Sequence, residues 1–318
     1  MILITGGAGF IGGNYLWHLY KENIHRNVVC IDNLTYASNI DYIQPLIDKK
    51  FVIFHKEDIS SAEGIKELLN HYKPNFIINF AAESHVDNSI QNYMPFIQTN
   101  IIGTINLLEA CRNLKYLKKF IHISTDEVYG SLKLDSQNKF TEQTPYEPNS
   151  PYSASKASSD HFVNAWRVTY GVPTIITNCS NNYGPAQHNE KLIPKVIENA
   201  LNDKSIPVYG TGDNVRDWLY VDDHCRAINL VLKNGKVGEK YNIGGGVELS
   251  NLELVKKILN MVGKPETLIE FVEDRLGHDK RYAIDYAKIE KKLNYKPLYT
   301  FEEGLKNTIE WIKNDRHS

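Results

Sequence analysis

Ile2-Leu3-Ile4-Thr5-Gly6-Gly7-Ala8-Gly9-Phe10-Ile11-Gly12 decides the fold. Four strand-forming residues run into glycines at positions 6, 9 and 12, and apolar residues then continue at helical spacing. Glycines at that spacing let the backbone turn tightly and lie against a pyrophosphate, whose charge is favoured at the N-terminus of the following helix. The next apolar run, residues 28–31, is followed by Asp32, 20 residues after Gly12. A carboxylate there accepts hydrogen bonds from the adenosine ribose hydroxyls and repels a 2′-phosphate, so the pattern predicts NAD rather than NADP.

Further along, short apolar runs alternate with helical stretches, which predicts parallel β-α units. Strands are expected at residues 2–5, 28–31, 51–54, 76–80, 120–124 and 174–178, rich in Ile, Val and Phe as strands covered on both faces require. Ser150-Pro151 reads as a helix cap with proline in the first turn, and Gly171 with Pro173 beyond it as the stop. The expected fold is α/β, a Rossmann-type doubly wound parallel sheet with a smaller C-terminal α/β substrate-binding region. Residues 1–178 are expected to form the NAD-binding part, rejoined by about 217–246, and residues 179–216 and 247–318 the substrate-binding region. The later border is loosened by Asn181-Asn182-Tyr183-Gly184-Pro185 and Gly244-Gly245-Gly246.

Bulk properties exclude several classes. Hydrophobic residues make up 42% and charged residues 23%, as in soluble globular proteins. A net charge of −2 provides no field for nucleic acid or an anionic membrane. No basic leader or membrane-length apolar run is evident, and Cys30, Cys111, Cys179 and Cys225 lie far apart, so a cytoplasmic protein with reduced thiols is expected. Scattered histidines without H-E-x-x-H argue against a zinc site.

Tyr152-Ser153-Ala154-Ser155-Lys156 sets a phenol and an ammonium on one helical face. A free tyrosine, with a pKa of about 10, is a poor base at neutral pH. A neighbouring ammonium is expected to favour the phenolate, and the same lysine to bond the nicotinamide ribose.

The glycine motif followed by Tyr152-x-x-x-Lys156 resembles the extended short-chain dehydrogenase/reductase family. The family's Ser/Thr position matches Thr125 in Ser124-Thr125-Asp126-Glu127-Val128-Tyr129-Gly130. Epimerases of that family carry small or uncharged residues next, whereas the adjacent Asp126 and Glu127 resemble the 4,6-dehydratase branch. Eliminating water needs both an acid and a base, which two carboxylates can supply. Similarity to dTDP-glucose 4,6-dehydratases also extends over Ala81-Ala82-Glu83-Ser84-His85-Val86-Asp87, Glu190-Lys191-Leu192-Ile193-Pro194, Arg216-Asp217-Trp218-Leu219-Tyr220 and Asp274-Arg275-Leu276-Gly277-His278-Asp279-Lys280-Arg281-Tyr282. Leu276 replaces a usual proline, and Gly13 a common serine.

This resemblance implies C4 oxidation, loss of water across C5 and C6, and hydride return to C6 through bound NAD. Tyr152 would be the C4 base, Thr125 the carbonyl partner, Glu127 the C5 base and Asp126 the C6 acid. The dinucleotide would be held by Gly6, Gly9, Phe10, Ile11, Gly12, Asp32, Asn33, Leu34, Thr35, Asp58, Ile59, Phe80, Ala81, Ala82, Ser84, Thr99, Tyr152, Lys156 and Asn182. The substrate, dTDP-glucose, would meet Ser84, His85, Thr125, Asn181, Lys191, Leu192, Pro207, Val208, Tyr209, Arg216, Asn251, Arg275 and His278. Phe162, Trp166 and Tyr170 read as packing residues on a helix that the family buries in a homodimer. A C4 epimerase, a non-catalytic dinucleotide sensor and a uridine-linked substrate are the competing readings.

Overall fold

The computed structural model describes residues 1–24 and 27–315. Twelve strands are found among them: β1 (Ile2–Thr5), β2 (Val28–Asp32), β3 (Val52–Lys56), β4 (Phe76–Asn79), β5 (Lys119–Thr125), β6 (Thr174–Cys179), β7 (Asn181–Tyr183), β8 (Ile206–Tyr209), β9 (Val215–Tyr220), β10 (Lys240–Ile243), β11 (Glu248–Ser250) and β12 (Ile269–Val272). Seven form one parallel sheet in the order β10-β6-β5-β4-β1-β2-β3. Strand direction reverses its march across the sheet at β1, the topological switch where α/β sheets open a crevice at their strand C-termini.

The alternation of side chains explains why these runs are strands. Ile2, Ile4, Val28 and Cys30 enter one core and Leu3, Val29 and Ile31 the other, all without exposure. The first face is covered by the helices Phe10–Lys21, Ile40–Asp48 and Val221–Asn234, the second by Ala62–Tyr72, Thr104–Cys111 and Pro151–Tyr170. A sheet apolar on both faces can only be stable between two helical layers.

The helix Pro151–Tyr170 begins and ends where its sequence signals lie. The Ser150 hydroxyl accepts from the Ser153 amide, the Ser153 hydroxyl reaches back to the Ser150 amide, and Gly171 closes the helix at φ +73°.

A second core lies beyond β6, between the helices Leu192–Leu201, Asn251–Val262 and Phe301–Asp315, a three-stranded sheet β11-β9-β7 and the pair β12-β8. Residues 217–220 pair here, and Val221 opens the helix that packs on the large core. Leu219 alternates into the large core, while Trp218 and Tyr220 enter the smaller one.

Gly12 sits where the first helix passes over the preceding loop, and a Cβ there would run into the Gly6 carbonyl oxygen. Both partners are backbone and have no rotamer by which to withdraw. Gly12→Ala is expected to lower stability by about 1–3 kcal/mol through overpacking, read as a lower urea midpoint at unchanged m-value.

Candidate active site

One continuous cleft follows the C-terminal edge of the parallel sheet. Gly6, Gly9, Phe10, Ile11 and Gly12 form its floor at β1, and Asp32, Asn33 and Thr35 follow β2. Ile59, Phe80, Ala81, Ala82, Ser84 and Thr99 line the middle, and Thr125, Asp126, Glu127, Tyr152, Lys156, Asn181, Asn182 and Lys191 the far end. Gly6, at φ +69°, has no room for a side chain, since a Cβ would lie 2.6 Å from the Ala81 amide nitrogen. The loop therefore presents bare backbone to the cleft, as a pyrophosphate requires, and the residues fit a dinucleotide.

Asp32 does more than face a ribose. One carboxylate oxygen accepts from the Ala8 amide at 3.0 Å, and the other from the Leu34 amide at 2.9 Å and the Ser38 hydroxyl at 2.8 Å. It braces the glycine loop against the turn after β2. Leu34, at φ +57°, and Asp58, which accepts from Asn33 at 3.0 Å, do not line the cleft. Both shape the turns that hold residues lining it.

The helix carrying Tyr152 and Lys156 is tied to the loop after β4 by Asn100, buried within a π-helical turn at Ile97–Gly103. Its amide oxygen accepts from the Glu83 amide at 2.9 Å, and its nitrogen donates to the Glu83 carbonyl at 3.0 Å and the Ser155 hydroxyl at 2.8 Å. Such single π turns occur where a helix must aim a side chain at a site.

At the end of β5 the chain makes a 3₁₀ turn, Asp126–Tyr129, capped by the Thr125 hydroxyl, which accepts from the Glu127 amide at 3.3 Å. The same hydroxyl donates to Asp126 at 3.4 Å. The other Asp126 carboxylate oxygen is buried without a hydrogen-bond partner among the described residues. Burial, the Glu127 charge and the Asp217 charge push the Asp126 carboxyl well above the usual carboxylate range. Burial also raises Glu127, but Arg216 and Lys191 pull it back. Two neighbouring acids thus have unequal surroundings, one favouring the proton and one opposed by cations.

The phenol of Tyr152 departs from expectation. Burial and the charge of Glu127 push it well above the ordinary tyrosine value, partly offset by a hydrogen bond with Thr125. Lys156 donates instead to the Ile123 carbonyl at 2.8 Å. An ammonium one helical turn away does not outweigh the loss of water around the ring oxygen.

The predicted substrate residues separate into groups. Ser84, Thr125, Asn181 and Lys191 line the cleft, with the Lys191 ammonium on the Ser84 carbonyl at 2.7 Å. The Asn181 side-chain oxygen is buried without a hydrogen-bond partner among the described residues. Tyr209, Arg275 and His278 gather beside it: the Arg275 guanidinium lies 5.2 Å from the Tyr209 ring centre, and the His278 ring 6.2 Å. Arg275 also bonds Asp87 at 3.0 Å. Arg216 stacks on Tyr282 at 4.1 Å and donates to the Asp279 carbonyl.

Others are placed differently. His85 caps the helix Val86–Gln91 by accepting from the Asn88 amide at 3.3 Å. Val208 and Leu192 pack into the second core, so neither side chain lines the cleft. Pro207 precedes Val208 on β8, and Asn251 starts a helix with its amide on the Asn214 carbonyl. Leu276 is 78% exposed and Gly13 is buried in the first helix, so neither departure touches the cleft. Among the cleft residues that sequence reading missed are Ser38, Glu83, Cys179, Gln187 and Glu190. Glu83, Cys179 and Glu190 lie within stretches similar to the family and so carried a signal, whereas Ser38 and Gln187 did not.

A family model described as GDP-mannose 4,6 dehydratase matches residues 3–308. A dTDP-glucose 4,6-dehydratase from Xanthomonas campestris pv. campestris is 50% identical over 97% of this chain and 92% of its own. The chain belongs to the dTDP-glucose 4,6-dehydratase family. Another member, from Streptomyces venezuelae and solved with NAD and TYD bound, superimposes with a TM-score of 0.95 at 43% identity, covering 99% of this chain and 98% of that one. The fold reaches beyond the family: a UDP-glucose 4-epimerase from Thermotoga maritima, solved with UDP-glucose, gives 0.90 at 29% identity over 99% of both chains. Fold alone does not choose between elimination and epimerisation.

Because Asp32 holds three donors, Asp32→Ala is expected to destabilise the protein by about 1–3 kcal/mol as well as weaken NAD binding. Urea unfolding and NAD titration check the two effects separately; a ribose ligand with no structural duty would leave the unfolding midpoint unchanged.

Proposed function

We propose that this chain converts dTDP-glucose to dTDP-4-keto-6-deoxyglucose, with the residue roles that follow. The observation carrying the reading is the pair Asp126 and Glu127, held out of water beside Thr125 and Tyr152 with unequal proton affinities. Family membership and the NAD-bound relatives support NAD as cofactor. The glycine loop would hold its pyrophosphate, Asp32 the adenosine ribose and Lys156 the nicotinamide ribose. Bound NAD supplies reversible two-electron chemistry, oxidising C4 and later reducing C6.

Tyr152 must first shed its own proton, a loss that the positive nicotinamide and Lys156 would favour; its phenolate then receives the C4 hydroxyl proton, and Thr125 donates to the developing carbonyl oxygen. That carbonyl acidifies the C5 proton, which the Glu127 carboxylate removes. Asp126, kept protonated by burial, gives its proton to the C6 hydroxyl as water leaves. A proton then returns to C5. Arg216 and Arg275, charged forks near Glu127, suit the substrate's diphosphate.

The two cores suggest a division of labour, the large one for the dinucleotide and the smaller for the nucleotide sugar. We also place a homodimer contact on the face carrying Ile102, Phe162, Val168 and Tyr170, all at least 36% exposed. No helix among the described residues is long and apolar enough to cross a membrane, and the four cysteines are free, which supports a cytoplasmic setting.

Substrate deuterated at C4 should yield product labelled at C6; label kept at C4 with inverted configuration would establish the epimerase instead. Glu127→Gln should lower product formation by about 10²–10⁴-fold and abolish solvent deuterium exchange at C5. It should leave a 4-keto sugar that retains its 6-hydroxyl. Wild-type exchange in that variant would remove Glu127 from the C5 role.

The pH response follows from the two acids. Glu127, raised above its ordinary value, works only above its pKa, so activity falls as pH drops through it. Asp126, raised further by burial, works only below its own, so activity also falls as pH climbs. Lys191→Met removes a cation that lowers Glu127, and should move the acidic limb of kcat to higher pH while leaving the alkaline limb in place.

A further inference from the structure

Behind the catalytic helix lies a buried carboxylate to which the mechanism assigns no work. Asp160 follows Lys156 by four residues on Pro151–Tyr170, so the two side chains lie on one face. They are 2% and 3% exposed. One Asp160 oxygen accepts from the Tyr146 hydroxyl at 2.8 Å, the Ser124 hydroxyl at 2.9 Å and the Asn178 amide at 3.4 Å. The other has no hydrogen-bond partner among the described residues and lies 3.4 Å from the His122 ring nitrogen.

A buried carboxylate is costly unless a cation or a full set of donors compensates it. His122 is not that cation: burial and the Lys156 charge hold its pKa well below the ordinary histidine value. Its ring instead continues a polar chain, within hydrogen-bond distance of Ser159 at 3.1 Å and Asn79 at 3.1 Å, and Asn79 in turn accepts from Thr5 at 2.6 Å. Tyr146 and Tyr129 are neutral phenols, both pushed up by burial. Lys240 is a partly buried second cation on the outer side, 3.5 Å from the Tyr146 hydroxyl.

Seen from Lys156, the choice of counter-charge is equally narrow. Its ammonium donates to the neutral Ile123 carbonyl. Of its charged influences, Cys179 is a thiol raised by burial to about 12, and Asp160 is the carboxylate. Tyr152, one turn back, is also a neutral phenol at ordinary pH.

We propose that Asp160 is a positioning residue: its carboxylate, held from three sides on one oxygen and one helical turn from Lys156, is the buried counter-charge that keeps Lys156 an ammonium while the Ile123 carbonyl orients it. The proposal rests on the reading of Lys156 given above. It adds a duty to the buried network Tyr146–Asp160–Ser124, which lies under the sheet edge between the two strands carrying Thr125 and Asn178.

A thermal double-mutant cycle tests the pairing without using activity, so its failure is distinguishable from failure of the catalytic reading. Asp160→Asn keeps the shape but leaves Lys156 uncompensated, and should lower Tm by several degrees. In a Lys156→Met background the same change should cost at most half as much. Equal losses in both backgrounds would overturn the proposal, because a residue serving only Ser124 and Tyr146 does not sense Lys156. If Asp160→Asn alone does not fold, recovery in the Lys156→Met background supports the pairing and failure in both backgrounds refutes it. In the active enzyme, Lys156 works below its pKa and loss of Asp160 lowers that pKa further. The titration of the Lys156 ammonium, followed directly by NMR of labelled lysine, should therefore move down by about one pH unit or more in Asp160→Asn; an unmoved titration counts against the assignment.

Discussion

Desolvation of charge at the C-terminal edge of a parallel sheet is the constraint on which this molecule depends. Asp126, Glu127, Lys156, Asp160 and Lys191 all lie where water is largely excluded, and each has its proton affinity moved by burial first. In water these groups would be ordinary ions with little chemical distinction between them. Out of water, each depends on its nearest opposite charge, and small differences in surroundings become large differences in proton affinity. Burial raises both Asp126 and Glu127, but Asp126 has two carboxylates against Arg216 whereas Glu127 has three cations against Asp279, so the rise is offset more strongly at Glu127.

The fold makes such a cluster tolerable by spending regular structure around it. Strand ends leave the chain free to turn, and each turn here is braced by hydrogen bonds to its neighbour: Asp32 to the glycine loop, Asn100 to the loop after β4, Thr125 to its own 3₁₀ turn. Rigid bracing matters because an acid and a base must meet the same hexose without rearrangement. The second core closes over this edge and brings Arg216, Arg275 and Lys191 towards Glu127. The close superposition with a 4-epimerase shows that the scaffold is shared, and a shared scaffold does not by itself fix the chemistry done on it.

Much of the large sheet was legible from local pattern. Runs such as 2–4 and 28–31 are apolar on successive residues, and only a strand between two layers buries them all. Ser150 and Gly171 announce their helix because capping is a short-range interaction. The smaller region was less legible: β7 and β11 are three residues each, and pair with β9 rather than with sequence neighbours. Val208 and Leu192 show the same limit, since an apolar residue beside a suspected site reads equally well as core.

Taken alone, then, the sequence determined the parallel sheet, the glycine loop after β1 and the helix that carries both Tyr152 and Lys156, because spacing along a chain dictates which residues share a turn or a helical face. Three things were decided by tertiary structure. The Tyr152 phenol is raised rather than lowered, because burial depends on what packs around the ring and not on the lysine four residues on. His85 serves as a helix cap, and Asp160 lies beneath the site among Tyr146, Ser124 and Asn178, partners brought from three separate segments. Proton affinities belong to this second category throughout, since they are set by solvent exclusion and by charges that only the folded chain brings together.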